Sequence, residues 1–405
     1  MEYGRKLPTP TFGLETLERA VKTRSGACSL KIGVPRETHL QEKRVALTPG
    51  AVGVLTARGH QLVIEHQAGM HAQFADNLYR EAGAVIAHSS AEVYEKSDII
   101  CKITPPDDDD LKLLRPRQTL VSAVHLGAVK HAYLQTLLAK YVTALGFEFI
   151  ESADGTIPFM QSMSEIAGVS SIHIAAELLT GEKGGPGLLL GGITGVPPAT
   201  VTIIGAGNVG FHAAATAIAL GATVKVIDEE VHRLRRLEEL LGRKIYTCVA
   251  QHDFVAHAVA HADVVIGAAY KKSGRPPMVV TEEMVMSMKD GSVIVDVSID
   301  QGGCIETSRT TTHDHPTYEA HGVTHYCVPN IPSRVPRTAS TAISNILSPI
   351  LVRIGEAGGV QNLFASDVSI RTGIYTFQNH VTQKSLAEMF KLDHMDISLL
   401  YAAQM

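Results

Sequence analysis

Cysteine is scarce in this chain of 405 residues: Cys28, Cys101, Cys248, Cys304 and Cys327 are far apart, odd in number and form no CxxC pair. That spacing argues against a disulfide framework and against a zinc ribbon, and it suits a reducing cytoplasm. Positive charge is not in excess either. With Lys+Arg 36 against Asp+Glu 41 the formal charge is -5, too little cationic field to displace counterions from DNA or RNA. Low-complexity tracts and repeats of solenoid period are missing, and 45% hydrophobic with 19% charged residues is a globular composition. The N-terminal segment carries charges throughout and no apolar core, so residues 1–30 are expected to form a short arm and not a signal peptide. One stretch, 184–224, contains no Asp, Glu, Lys or Arg, yet Gly and Pro interrupt it every few residues. That punctuation argues against a membrane span, and the stretch reads as buried sheet and turns.

What is present is length enough for two hydrophobic cores and a sustained alternation of strand and helix. From Lys31 the order is strand KIGVP, helix AVGVLTARGH, strand QLVIEHQ, helix DNLYREAGA and strand SDIICKI, followed by TLVSAV, the helix KHAYLQTLLAK and YVTALGFE. Such a rhythm predicts a parallel sheet. The helix SEIAGVSSIHIAAELLTGE then leads into a second unit with strands ATVTIIGAG, TVKVID, ADVVIGAA and GSVIVDVSI, and a long apolar helix after Asn330 reads as a return to the first unit. The expected fold is α/β with two domains, a Rossmann-type dinucleotide-binding domain inserted into a second parallel-sheet α/β domain. Residues 31–158 and 337–405 form the substrate domain in this reading, and 159–336 the dinucleotide domain.

The second unit opens with VTIIGAGNVGFHAA, which places Gly205, Gly207 and Gly210 in G-x-G-x-x-G spacing between an apolar β-branched strand and a helix. Gly205 permits the tight turn, Gly207 removes a side chain that would block a pyrophosphate, and Gly210 lets helix and strand pack closely. The N–H groups around Asn208 and Val209 then face the phosphates. Glycines alone also serve plain βα turns. The next strand, however, ends at Asp228, eighteen residues past Gly210, where a carboxylate accepts both ribose hydroxyls of NAD and repels a 2′-phosphate. Glu229 adds to that preference, and Arg233, Arg235 and Arg236 oppose it. Ala268, Ile299 and Asp300, at the C-terminal ends of two later strands, are expected to border the nicotinamide half. For Asp300 a turn cap before Gly302 and Gly303 is an equally ordinary role.

Several segments resemble the alanine dehydrogenase family, which includes the NAD-binding subunit of proton-translocating transhydrogenase: KIGVPRETHLQEKRVALTP, VHLGA, SMSEIAG, GGITGVPPATVTIIGAG, VIVDVSIDQGGCIETSRTTTHDHPTY and HYCVPNIPSRVPRTAS. The last two look like the dehydrogenase. The resemblance implies NAD-dependent interconversion of L-alanine with pyruvate and ammonia, in a homohexamer. It implies that Arg44 binds the substrate carboxylate, a task suited to a planar guanidinium. It also makes His125 the acid/base group and Asp300 the residue that orients or deprotonates water or ammonia. Met163, Ser164, Glu165 and Asn330 match residues that line the cofactor and substrate pocket. The family's lysine before a K-E-P turn is replaced here, since the sequence reads Lys102, Ile103, Thr104, Pro105, Pro106. Lys102, two residues earlier on the same strand face, is expected to reach the carboxylate instead; otherwise Thr104 supplies a neutral hydrogen bond.

Other signals point to structure. The histidines around HDHPTYEAHGVTH lie in an expected loop and short strand with no cysteine, so no metal is expected, and Asp107 to Asp110 read as a solvated loop. Three alternatives stay open: a transhydrogenase cofactor subunit, a non-catalytic NAD-binding protein, and a dehydrogenase of another small amino acid.

Overall fold

The computed structural model describes residues 28–39, 41–125, 129–271 and 275–402, so the expected N-terminal arm lies almost wholly outside the described residues. Six strands come first: β1 (Lys31–Val34), β2 (Gln61–Glu65), β3 (Val85–Ala87), β4 (Ile99–Cys101), β5 (Thr119–Ser122) and β6 (Thr143–Gly146). Then follow β7 (Thr200–Ile204), β8 (Thr223–Asp228), β9 (Tyr246–Val249), β10 (Val264–Gly267), β11 (Val293–Asp296), β12 (Thr317–Ala320) and β13 (Val323–Tyr326). The last two are β14 (Ile374–Phe377) and β15 (His380–Val381).

They form two sheets of the expected α/β class. The first runs β15-β14-β6-β5-β4-β1-β2-β3 and the second β12-β13-β11-β10-β7-β8-β9. In each, six parallel strands follow one order, outward from the first strand in one direction and then from the fourth in the other, and antiparallel strands close one edge. Strands β4, β5, β6, β10 and β11 are buried along their whole length, which is why they read as apolar runs without alternation. The order reverses between β1 and β4 and between β7 and β10. Ligands of such sheets bind at those places, beyond the carboxyl ends of the strands.

Two long helices join the units. The helix Pro158–Leu178 starts with proline at its first turn, sets Phe159 and Met163 into the core of the first sheet, and sets Ala167, Ile172 and Ala175 into that of the second. A Cβ on its Gly168 would lie 2.5 Å from the Val209 carbonyl oxygen, so only glycine lets this helix lie against the dinucleotide helix Asn208–Ala219. The helix Pro336–Glu356 buries Ile343, Leu347 and Leu351 in the first core. Its serines have a second task. Ser340 and Ser344 accept the N–H groups of Val45 and Thr48 at 2.9 and 3.0 Å, and Ser333 accepts that of Lys43 at 2.9 Å. These bonds satisfy the irregular backbone after β1 and so fix the segment that carries Arg44.

Three local expectations are corrected. Asp107 caps the helix Asp108–Leu113 through a capping box with Asp110, which is buried; the acidic run is a helix start, not a solvated loop. Part of the uncharged stretch is exposed, with Leu189 and Ile193 each 65% accessible. The histidine-rich segment forms the antiparallel hairpin β12–β13 around His321 and Gly322. Among the described residues no helix is long and apolar enough to cross a membrane.

Candidate functional site

Segments that follow strands of both sheets meet at one cluster of side chains. From the segment after β1, Glu42 grips Arg44 side-on, with Nε to Oε1 at 2.7 Å and Nη2 to Oε2 at 2.5 Å, while Nη1 lies 3.2 Å from Met163 Sδ. From the end of β13, Asn330 reaches the same cluster: its Nδ2 donates to Glu42 Oε2 at 3.0 Å and its backbone N–H to Asp300 Oδ1 at 2.8 Å. Asn330 does this from a left-handed backbone, φ 57°, a conformation that asparagine tolerates. Burial disfavours the charged form of Glu42, but the Arg44 guanidinium and its hydrogen bonds outweigh it and hold the carboxyl below the usual range. Asp300 is reached by solvent, yet protein atoms surround its carboxyl group. That burial pushes its carboxyl above the usual range, against the Asn330 N–H and the charges of His125 and Arg44. It does not cap the turn before Gly302; Asp296 accepts the Ser298 N–H and takes that part.

His125 stands just beyond β5 in a left-handed conformation, φ 52°, which costs a non-glycine residue roughly 1–3 kcal/mol. Glu148, in the 3-10 turn after β6, takes the N–H groups of Val124 at 2.9 Å and His125 at 3.0 Å. The same carboxylate faces Tyr270 from the loop after β10, whose phenol is pushed up by burial and then by Glu148.

Beneath this floor the structure corrects the expected roles of Lys102 and Thr104. The Lys102 ammonium is buried and paired, 2.9 Å from Asp110 Oδ2 and 3.5 Å from Glu37 Oε2. The Thr104 hydroxyl donates to Glu37, which also accepts the Ile103 N–H at 2.6 Å. Both side chains are thus engaged by acids. Burial raises the Glu37 carboxyl despite Lys102, with Glu42 adding to the rise. Glu37, Glu42, Asp110, Glu148 and Tyr270 are the site residues that the motifs did not disclose, because their significance appears only when distant strand ends meet.

The dinucleotide turn is built as its glycines suggest. Gly205 has φ 111°, and a Cβ there would lie 2.4 Å from the Ala268 carbonyl oxygen; one on Gly210 would lie 1.9 Å from the Gly205 oxygen. Gly207 differs, because a Cβ there would meet nothing within 4 Å. It starts the helix Asn208–Ala219 without a side-chain cap, so the N–H groups of Asn208, Val209 and Gly210 border an open cradle at a positive helix end. Asp228 sits beside it, accepting the Ala206 N–H at 2.7 Å and the Glu230 N–H at 2.9 Å. Arg233 leans on Glu230 at 2.9 Å and comes within 4.0 Å of Asp228. Ser164 is one helical turn before Gly168, on the face that meets this helix; Glu165 is exposed. Ala268 and Ile299 are buried at the ends of β10 and β11. Cradle, uncapped helix end and ribose-side acid together fit a dinucleotide. Two of the histidines in the histidine-rich segment have other partners: His325 bonds Thr307 and stacks on Tyr318, and His321 pairs with Glu282. Among the described residues no three His, Cys, Asp or Glu side chains are grouped to hold a metal.

The family model described as Alanine dehydrogenase/PNT, N-terminal domain, matches residues 33–167, and the corresponding C-terminal domain model matches residues 171–384. The alanine dehydrogenase of Bacillus subtilis (strain 168) is 42% identical over 357 residues, 88% of this chain and 93% of the relative. Alanine dehydrogenase 2 of Staphylococcus aureus (strain USA300) is 38% identical over 91% of this chain and 98% of its own. Among solved structures, an L-alanine dehydrogenase superposes with a TM-score of 0.84 at 38% identity, covering 89% of this chain and 99% of that one.

Proposed function

Because the chain belongs to the alanine dehydrogenase/PNT family, we propose that it is an oxidoreductase that interconverts L-alanine with pyruvate and ammonia. The observation that carries this reading is the continuous link Arg44–Glu42–Asn330–Asp300, which joins a carboxylate-binding cation on one sheet to a reactive acid at the dinucleotide end of the other. The family implies a nicotinamide dinucleotide. NAD is the form that Asp228 favours, since a carboxylate at the ribose repels a 2′-phosphate.

When bound, the dinucleotide exchanges a hydride with the substrate Cα. The remaining work falls to the chain. Arg44 holds the carboxylate with the guanidinium edge that Glu42 leaves free, and Met163 lies against that edge. His125 takes the proton from the carbinolamine hydroxyl and returns it to the ketone oxygen in the reverse direction. Asp300, its carboxyl kept basic by its surroundings, orients and deprotonates the attacking water or ammonia. Ser164, Gly205, Gly207, Asn208, Val209, Gly210, Ala268 and Ile299 shape the dinucleotide site.

The proposal extends to organisation. Residues 31–158 with 337–405 form the substrate domain and 159–336 the dinucleotide domain, in a cytoplasmic homohexamer; five free cysteines suit that compartment. The deciding experiment is NADH oxidation by the purified protein with pyruvate and ammonia, extended to other 2-oxo acids. Turnover should fall by about two or more orders of magnitude in His125→Ala and in Asp300→Ala while NADH still binds. Binding of NADH with no turnover of any 2-oxo acid would remove the enzymatic reading.

A further inference from the structure

Strands β5 and β6 lie side by side in parallel register, Ser122 opposite Gly146. Past those residues the two chains separate, and Glu148 bridges the gap. Its Oε1 accepts the N–H of Val124 at 2.9 Å and that of His125 at 3.0 Å, and its Oε2 lies 3.0 Å from the same Val124 nitrogen. One carboxylate thus takes two successive donors just beyond the strand, where His125 turns into the left-handed region, φ 52°. A non-glycine residue keeps such a backbone only if its surroundings enforce it. We propose that Glu148 is the positioning residue for His125, holding the strained backbone from which the imidazole is aimed at the substrate oxygen.

The chemistry of the contact makes the identity of the residue specific. Oε1 accepts both N–H groups and Oε2 also faces the Val124 nitrogen, so both terminal atoms sit where an acceptor is needed, which a carboxylate supplies. Glutamine has the same shape, but with its oxygen in the Oε1 place its amide nitrogen would confront the Val124 N–H donor to donor at the Oε2 place. Aspartate keeps the charge and loses a methylene of reach. The inference rests on the reading of His125 as the proton-handling group, and it adds a residue that acts only through it.

The experiment is a double-mutant cycle on the purified full chain, with steady-state kinetics in pyruvate, ammonia and NADH, and NADH binding read by fluorescence. A positioned acid/base group supplies roughly 10²–10⁴-fold, and misaiming it forfeits part of that. Glu148→Gln is expected to lower kcat by about tenfold to a hundredfold, with the KM for pyruvate and NADH binding within about twofold of the parent. Glu148→Asp should lie between the two. In the His125→Ala background, Glu148→Gln should cost no further activity, because the group it aims is gone. A plain structural role predicts otherwise: a lower melting temperature, with kcat unchanged in the protein that remains folded. An unchanged kcat in both Glu148→Gln and Glu148→Asp, alongside a disabled His125→Ala, overturns the positioning role and leaves the reading of His125 intact. So does an equal loss from Glu148→Gln with and without His125. Full activity in His125→Ala overturns both. Should Glu148→Gln not fold, Glu148→Asp carries the same cycle.

Discussion

Lys102 and Asp110 form a buried ion pair, Nζ to Oδ2 at 2.9 Å, with side chains 1% and 7% exposed. Glu37 lies on the other side of the same ammonium at 3.5 Å, so one cation serves two acids, and its charged state is favoured by them against the effect of burial. A lysine held in this way is not a spare carboxylate ligand. Nor is it dispensable, because its loss leaves carboxylates facing each other out of water. Lys102→Ala is expected to lower stability by about 3–5 kcal/mol, the cost of stranding a buried charge, read as a lower urea midpoint. An unchanged midpoint would show that the two acids absorb the loss by taking up protons.

Glu42 occupies the Nε and Nη2 edge of Arg44 and leaves the other edge for the proposed substrate carboxylate. Lysine at this position would keep the charge but could not serve Glu42 and a substrate carboxylate with separate edges. Arg44→Lys should therefore lower kcat/KM for pyruvate by roughly 10- to 150-fold, the value of a hydrogen bond to a charged group at about 1.5–3 kcal/mol. The loss should appear mainly in KM. A variant with the parent KM would move the carboxylate away from Arg44.

How much of this was legible beforehand differs by residue. The turn at Gly205, Gly207 and Gly210 and the acid at Asp228 could be read because strand, glycines, helix and carboxylate follow one another at short spacing. Arg44, His125, Asp300 and Asn330 were found by likeness to a family, since no local pattern marks them. Asp110 was misread because a run of four acids resembles a solvated loop; only the capping box at Asp107 turns its last member inward to Lys102. Glu148 and Glu37 matter through strand ends 23 and 66 residues away in sequence. The edge strands β14 and β15 add only four and two residues, too few for a periodic signal.

A second buried acid gives a pH test. Burial pushes the Asp296 carboxyl up to about 6 from its ordinary 3.8, with Ser308 and the N–H groups of Cys304, Ser298 and Ile305 resisting. The folded protein therefore holds this proton more tightly than the unfolded chain, so stability from this group is full below about pH 4 and is lost as pH rises through 6. The loss is about 3 kcal/mol at about 1.36 kcal/mol per unit. Asp296→Asn should remove that fall, so its stability relative to the parent should rise between pH 4 and 6. Parallel pH–stability curves for the two proteins would show that Asp296 ionises freely in the fold.

The last prediction separates architecture from binding within one turn. A Cβ on Gly207 meets nothing within 4 Å, and its φ of -75° suits any residue. Gly207→Ala is thus expected to fold as the parent does, with a melting temperature within a degree or two. The added methyl group nevertheless stands in the cradle before the uncapped helix, where a pyrophosphate must approach the backbone closely. NADH affinity should fall at least about tenfold, equivalent to about 1.4 kcal/mol. Gly210→Ala is the contrast, since its Cβ would lie 1.9 Å from the Gly205 carbonyl oxygen and must push helix and strand apart. That variant should melt earlier as well as bind poorly. The measurements are thermal melts without cofactor and a fluorescence titration with NADH. If Gly207→Ala binds NADH as tightly as the parent, the pyrophosphate does not lie over this turn, whatever the glycine spacing suggests. If both variants lose stability equally, Gly207 is an architectural glycine and the open space above it has no ligand to exclude.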